Sequence, residues 1–196
     1  MILSFLIGAI PFGEIIARLK KINLREVGSG NIGATNVYRA LGLKWAFLVF
    51  LLDALKGAGS VLLSYKFLGK DYLIGLSGIL AVLGHIFSPY LRFKGGKGVA
   101  CGFGVMIVLA PVASLLVFLL WVVMVLLSRI VSLSSLISAI LLPFIVWALG
   151  GKKEYILAGA IIGFLVLISH RANISRLIKR KEPRIKSISL PSKKRK

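Results

Sequence analysis

The chain has 196 residues, 58% hydrophobic and 16% charged, with 26 Lys and Arg against 6 Asp and Glu. That is too apolar for an ordinary soluble domain; it leaves an all-α polytopic membrane protein whose apolar stretches fill one helical bundle, with no room for a separate soluble domain. The formal charge of +20 would suggest nucleic acid in a soluble chain, but no aromatic-basic interleaving accompanies it, and in a membrane protein basic loops mark the cytoplasmic side.

The first apolar run, Met1–Ala17, has its cations after it rather than before it. It therefore reads as a retained span with the N-terminus outside, not as a signal peptide. Glu14 lies near its inner end. Next comes "VGSGNIGATNVYR", in which Gly28, Gly30 and Gly33 alternate with Ser29, Asn31, Thr35 and Asn36, and Arg39 follows. Free backbone N–H groups, hydroxyls and amides suit phosphate oxygens, although a flexible loop between spans has the same look. No Gly-Lys-Ser/Thr follows, so this is not a Walker A loop.

Trp45–Tyr65 and Tyr72–Leu91 are the next runs. Asp53 and Lys56, three apart within the first of them, flag function or a mutual ion pair. His85 approaches the second glycine-bearing stretch, "FKGGKGVACGFG". There Gly95, Gly96 and Gly98 flank Lys97 where a helix would begin, so backbone donors, a helix N-terminus and an ammonium group converge on an anion. A juxtamembrane turn that sets topology would need the lysines but not the glycines.

Val99–Leu127 is the difficult segment. As one straight helix its 29 residues would reach about 43 Å against a hydrocarbon core of about 30 Å. With Pro111 near its middle, it is either one long tilted helix or two short helices folded back at Ala110–Pro111. Cys101, the one cysteine, sits among apolar residues and reads as packing rather than as a nucleophile, so Cys101→Ser should leave activity largely intact. Ile130–Leu149 begins beside Ser132, Ser134 and Ser135, any of which could complete an anion site; Tyr155–Ser169 is the last run. "HRANISRL" follows, with His170, Asn173 and Leu177 at helical spacing. Arg176 could belong to a site or to lipid headgroups, and the basic tail from Lys179 on reads as a headgroup binder.

Positive charge decides the span count. With a hairpin at Pro111 there are seven spans. The inside then holds six basic residues in Arg18–Lys44, three in Arg92–Lys97, Arg129, and eleven from Arg171 on, against Lys66, Lys70, Lys152 and Lys153 outside. With a single span there, Arg129 and the tail move outside and the bias reverses. The positive-inside rule selects seven spans, N-terminus outside and C-terminus cytoplasmic, with two short helices joined near Pro111. One transmembrane domain then covers 1–178 and a basic cytoplasmic tail 179–196, and the three polar segments share the cytoplasmic face.

"GSGNIGATNVYR", "LLDALKG", "GHIFSPYLRFKGGKGVA" and "HRANISRL…E", in that order, resemble the bacterial acyl-phosphate-dependent glycerol-3-phosphate 1-acyltransferases, the PlsY family, over the chain to about Glu182. The resemblance implies a multi-pass protein of the bacterial inner membrane with its active site facing the cytoplasm. It implies transfer of a fatty acyl group from acyl phosphate to sn-glycerol 3-phosphate, giving lysophosphatidic acid and phosphate. Membrane lipid is the other partner; nucleic acid, cofactor and metal have no part. The catalytic set would be Lys97, His170, Asn173 and Arg39. Substrate binding would fall to Ser29, Gly30, Asn31, Gly33, Thr35, Asn36, Gly95, Gly96, Gly98, Ser135 and Arg176. The acceptor hydroxyl would attack directly, with no acyl-enzyme, and the base would be His170 or the donor's own phosphate. No His-x4-Asp signature is present. A transporter or flippase for a phosphate-bearing solute is the competing reading, with Asp53 as its ion-coupling group; its midplane site and internal repeat are not evident. A structural subunit would leave the glycine motifs unexplained.

Overall fold

The computed structural model describes residues 1–185, and these form helices, turns and loops. The first apolar run is two helices, α1 (Ile2–Ala9) and α2 (Phe12–Leu19). Pro11 has no N–H to offer the preceding turn, so the ladder breaks there. At the break the carbonyl of Ile10 accepts from Lys56 Nζ at 2.6 Å, as well as from the Phe12 N–H at 3.2 Å. Lys56 lies on α4 (Leu43–Leu68) and also pairs with Asp53 Oδ1, 2.7 Å away on the preceding turn. Both partners are buried. The pair thus neutralises two charges inside a span while its cation closes the break in another.

Between α2 and α4 lies a helix that the sequence reading treated as loop, α3 (Ala34–Leu41). After α4 come α5 (Asp71–Ile86), a short 3-10 turn at Pro89–Leu91, and then α6 (Val99–Leu109) and α7 (Pro111–Ser128). The expected break near Pro111 is present, with Ala110 between the two helices. The division is unequal. At about 1.5 Å per residue, the 11 residues of α6 span roughly 16 Å and the 18 of α7 roughly 27 Å, so only α6 is too short to cross a membrane. It is also the more enclosed of the two and packs on α4, α5 and α9. The remaining helices are α8 (Val131–Ala148), α9 (Lys153–Ser169) and α10 (Arg171–Ile178), the last bent 62° away from α9.

Five segments are long and apolar enough to cross a membrane: Ile2–Leu19 through its break, Leu43–Leu68, Asp71–Leu91, Pro111–Ser128 and Val131–Ala148. The bent pair α9 and α10 is a sixth. Side-chain contacts fix the two ends of the bundle. At one end Tyr155 Oη and Lys152 Nζ both donate to the Asp71 carboxylate, at 2.5 and 2.7 Å, and Tyr65 Oη is 2.6 Å from Tyr155 Oη. These ties join α4, α5 and α9. The opposite end carries residues 28–39, 97–98, 131–135 and 170–182 around one cavity.

In lipid no hydrophobic force drives helices together, so close backbone approach must do more of the work. Glycines supply it. Gly57 lies on the Cys101 carbonyl and Gly104 on the Ala54 carbonyl, which locks α4 to α6 from both sides. Gly8 and Gly84 do the same for α1 and α5. On α8, Pro143 cannot bond the carbonyl of Ala139, and Gly163 of α9 approaches that free oxygen. A Gly104→Val substitution would drive a side chain into the α4 backbone. We expect it to destabilise the protein by about 1–3 kcal/mol, read as a lowered Tm in detergent.

Candidate active site

The first glycine-bearing segment is a turn that feeds α3. Gly28 and Gly30 have φ of +56° and +68°, which L side chains resist. Any side chain at Gly28 would also strike Asn36 Oδ1. Asn36 is a brace rather than a free ligand: its Oδ1 accepts the Ser29 N–H at 2.9 Å and its Nδ2 donates to the Leu24 carbonyl at 3.0 Å. With the turn fixed, Ser29, Asn31, Thr35 and Arg39 face the cavity.

The second segment is held from behind by α5. The N–H groups of Gly95 and Gly96 donate to the carbonyls of Ile86 and His85, at 2.9 and 3.0 Å. Gly96 has no room for a Cβ because His85 Nε2 occupies the place. These bonds present Lys97 to the cavity, and Gly98, at φ +83°, starts α6 there. The first-turn amides of α6 have no partner within the helix. Arg25 ties the two loops together, donating to the carbonyls of Gly30 and Lys94.

The third segment lies at the bend between α9 and α10. His170 is buried, and its Nδ1 contacts the Val166 carbonyl at 2.8 Å. A carbonyl can only accept, so Nδ1 carries the proton and Nε2 of a neutral ring keeps its lone pair. Asn173 bridges: its Oδ1 accepts from Lys97 Nζ at 2.5 Å and its Nδ2 donates to Glu182 Oε1 at 2.6 Å. The same Oε1 accepts from Ser132 Oγ at 2.8 Å, and Glu182 Oε2 takes Arg176 Nε at 2.7 Å. Downstream, the Ile185 N–H donates to the Arg129 carbonyl at 2.8 Å. The stretch assigned to the tail from 179 therefore returns to the bundle, and a boundary at 178 would cut through the site. Residues 186–196 lie outside the described residues.

Together these segments enclose a cavity of roughly 200 Å³. Its polar end holds Arg39, Lys97, Ser135, His170, Asn173 and Glu182. Its other end is apolar, walled by Phe50, Phe103, Met106, Phe118, Leu142 and Ile162. Burial lowers the pKa of Lys97 to about 8; the Glu182 charge opposes this, and Arg176 and Arg39 add to it. Burial likewise holds Arg39 below the ordinary arginine value, with Glu182 opposing and Arg176 reinforcing. For Glu182 burial acts first, raising the carboxyl, but the bonds from Arg176, Ser132 and Asn173 outweigh it and leave the group below the usual carboxylate range. The polar end is thus a set of partly desolvated cations around one carboxylate, arranged to receive further negative charge.

Of the residues picked from sequence, Ser29, Asn31, Gly33, Thr35, Asn36, Arg39, Lys97, Gly98, Ser135, His170 and Asn173 line this cavity. Gly30, Gly95, Gly96 and Arg176 stand behind its wall. Gly95 and Gly96 do not offer their amides to an anion, because α5 takes both; they shape the turn instead. Arg176 contributes charge through Glu182. Cys101 is fully buried against α4 and does not line the cavity. The sequence reading gave no role to Arg25 or the aromatic wall, and placed Glu182 only as the closing residue of the motif "HRANISRL…E" without assigning it to the site. Its place at the end of that motif, as a lone acid within "RLIKRKEPRIK", was the available signal.

A family model described as "Glycerol-3-phosphate acyltransferase" matches residues 1–180. The chain belongs to that family. A protein of that name from Aquifex aeolicus is 43% identical over 185 residues, which cover 94% of this chain and 96% of the relative. One from Dinoroseobacter shibae is 45% identical over 183 residues, covering 93% and 89%. Among solved structures, a crystal structure of PlsY (YgiH), an integral membrane glycerol 3-phosphate acyltransferase in its glycerol 3-phosphate form, superposes with a TM-score of 0.91 at 42% identity. It covers 94% of this chain and 93% of that one. A lysophosphatidic acid form gives 0.89 at 41%. The transporter reading is set aside: this is a membrane-embedded acyltransferase.

Proposed function

We propose that this acyltransferase moves a fatty acyl group from acyl phosphate to the 1-hydroxyl of sn-glycerol 3-phosphate, releasing lysophosphatidic acid and phosphate, as the first acylation step of bacterial phospholipid synthesis. The observation that carries the reading is the cavity itself, in which a cationic polar end opens directly onto an apolar aromatic-walled end. A fatty acyl phosphate has that same division of character. The acceptor class follows the family, whose crystallised member is described in a glycerol 3-phosphate form.

Lys97 and the first turn of α6 hold the donor phosphate. Arg39, His170, Asn173 and Ser135 hold the acceptor, with Ser29, Asn31 and Thr35 on the facing wall and Arg176 adding charge from behind. The acceptor oxygen attacks the carbonyl carbon, the carbon–oxygen bond to phosphate breaks, and the hydroxyl proton passes to a base. That base is His170 Nε2, left free by the bond of Nδ1 to Val166, or the departing phosphate. With both reactants seated side by side, most of the acceleration comes from positioning and from the fixed cations. No acyl-enzyme is formed.

In the membrane the chain makes seven crossings, with α6 as a short one held among its neighbours. The N-terminus lies outside and the cavity mouth faces the cytoplasm of the bacterial inner membrane. The basic residues of 18–44, 92–97, 129 and 171–184 support this orientation.

The test is phosphate release by purified protein given acyl phosphate, with and without glycerol 3-phosphate. Release that requires the acceptor is expected; release that ignores it, or none, refutes the reading. His170→Ala then separates the two bases. A loss of about 10²–10⁴-fold with disappearance of a pH-dependent limb assigns the proton to His170. A loss confined to the acceptor KM assigns it to the donor phosphate.

A further inference from the structure

We propose that Trp121 is a positioning residue for the acceptor phosphate, acting through Ser135. Trp121 lies on α7, the helix at the edge of the bundle, and Ser114, Val117 and Phe118 share its inward stripe on the cavity wall. Its indole Nε1–H donates to Ser135 Oγ across to α8, at 3.0 Å. Indole nitrogen donates and cannot accept, so the direction of this bond is fixed. Ser135 Oγ is therefore an acceptor toward Trp121, and its own proton remains to be given elsewhere.

Other helix serines of this chain spend that proton on the helix. Ser60, Ser64, Ser114 and Ser169 each donate to the carbonyl four residues back. Ser134, the immediate neighbour of Ser135, does so too. Among the described residues Ser135 makes no such bond, although it is buried and lines the polar end of the cavity. The Trp121 bond pins the oxygen so that the hydroxyl proton points away from the indole, and an anion in the cavity is the acceptor that suits it. Stacking holds the indole in place. Its ring is 6.0 Å from that of Phe118 and tilted 12°, and Phe118 packs at 5.0 Å on Phe103. The wall of the apolar end thereby fixes a hydrogen bond at the polar end.

This inference rests on the reading of Ser135 as an acceptor ligand, and a binding measurement tests it whatever the acyl donor. Glycerol 3-phosphate is titrated calorimetrically into the full chain in detergent, as wild type, Trp121→Phe, Ser135→Ala and the double variant, with Tm recorded for each. Phe keeps an aromatic ring for the stack on Phe118 and deletes the N–H together with the pyrrole ring. We expect Trp121→Phe to weaken Kd about three- to ten-fold, the worth of one oriented hydrogen bond, with only a small loss of Tm from the missing pyrrole ring. In the Ser135→Ala background the same change should add less than about 1.5-fold. An unchanged Kd for Trp121→Phe, a penalty that multiplies in the double variant, or a loss of Tm alone would overturn the role of Trp121. An unchanged Kd for Ser135→Ala would remove the Ser135 reading and this inference with it, while leaving acceptor-dependent phosphate release as a separate question.

Discussion

Lys97→Ala is expected to lower kcat/KM by about 10²–10³-fold, the usual cost of deleting one preorganised donor from a desolvated site. The ammonium is partly buried, is drawn into the cavity by Asn173, and shares its field with Arg39 and Arg176. Its loss removes a charge from the donor's phosphate and also strands the Asn173 carbonyl, so the damage exceeds one contact. The pH dependence gives an independent check. Lys97 is depressed to about 8, and the site needs it charged, so kcat/KM falls as pH rises through that value. A bound dianion would hold the proton on, so the matching limb of kcat lies at higher pH. Lys97→Arg keeps a charge that does not titrate in the working range and should flatten the alkaline limb of kcat/KM, at reduced activity because a planar guanidinium does not reproduce the ammonium's position. Rate profiles from pH 6 to about 10 for the three proteins decide the matter.

Glu182→Ala should cost as much in activity and more in stability. One carboxylate joins α8 through Ser132, α10 through Asn173 and Arg176, and the segment that follows α10. Its removal leaves three donors facing one another, each bond to a charged group being worth about 1.5–3 kcal/mol. Glu182→Gln discriminates among them. A Gln oxygen can still accept from Ser132 and Asn173, but its amide then meets the Arg176 Nε–H donor to donor. We expect Gln to fall between wild type and Ala in both Tm and kcat/KM. The acid side follows from the folded carboxyl lying below its ordinary value. Its stabilisation is fully present above the unfolded carboxylate pKa and is lost as pH falls through the lowered folded value. Wild type should therefore lose Tm below the usual carboxylate range more steeply than the Gln variant, which thermal melts at stepped pH would reveal.

Much of this architecture was legible because the signals were local or additive. Pro111 within an over-long apolar run announced a break at Ala110, and the sign of loop charge brought the three polar segments to one side, as the cavity now shows. What escaped depended on partners far away in the chain. Nothing local to "FKGGKG" says that the amides of Gly95 and Gly96 are taken by α5, or that His85 fills the space over Gly96. The polar composition of "GATNVYR" concealed α3, whose stability comes from burying Asn36 and Val37 rather than from propensity. The unequal lengths of α6 and α7 follow from where the chain turns, but the enclosure of α6 follows from glycine contacts with α4 that only the packed bundle reveals. Glu182 closes the last motif, but its partners were hidden: a single acid among the six cations of "RLIKRKEPRIK" reads as solvated until Ser132, fifty residues earlier, is seen to reach it.

Glu182 also sets an order of events during biosynthesis. All the long helices precede it, so a nascent polypeptide can be threaded into the lipid as far as α9 while its cations still repel one another around an open mouth. Only when the stretch after α10 emerges does the last anchoring group arrive. Until then Ser132, Asn173 and Arg176 have no shared carboxylate to gather them, so the polar end of the cavity closes after the helices that surround it.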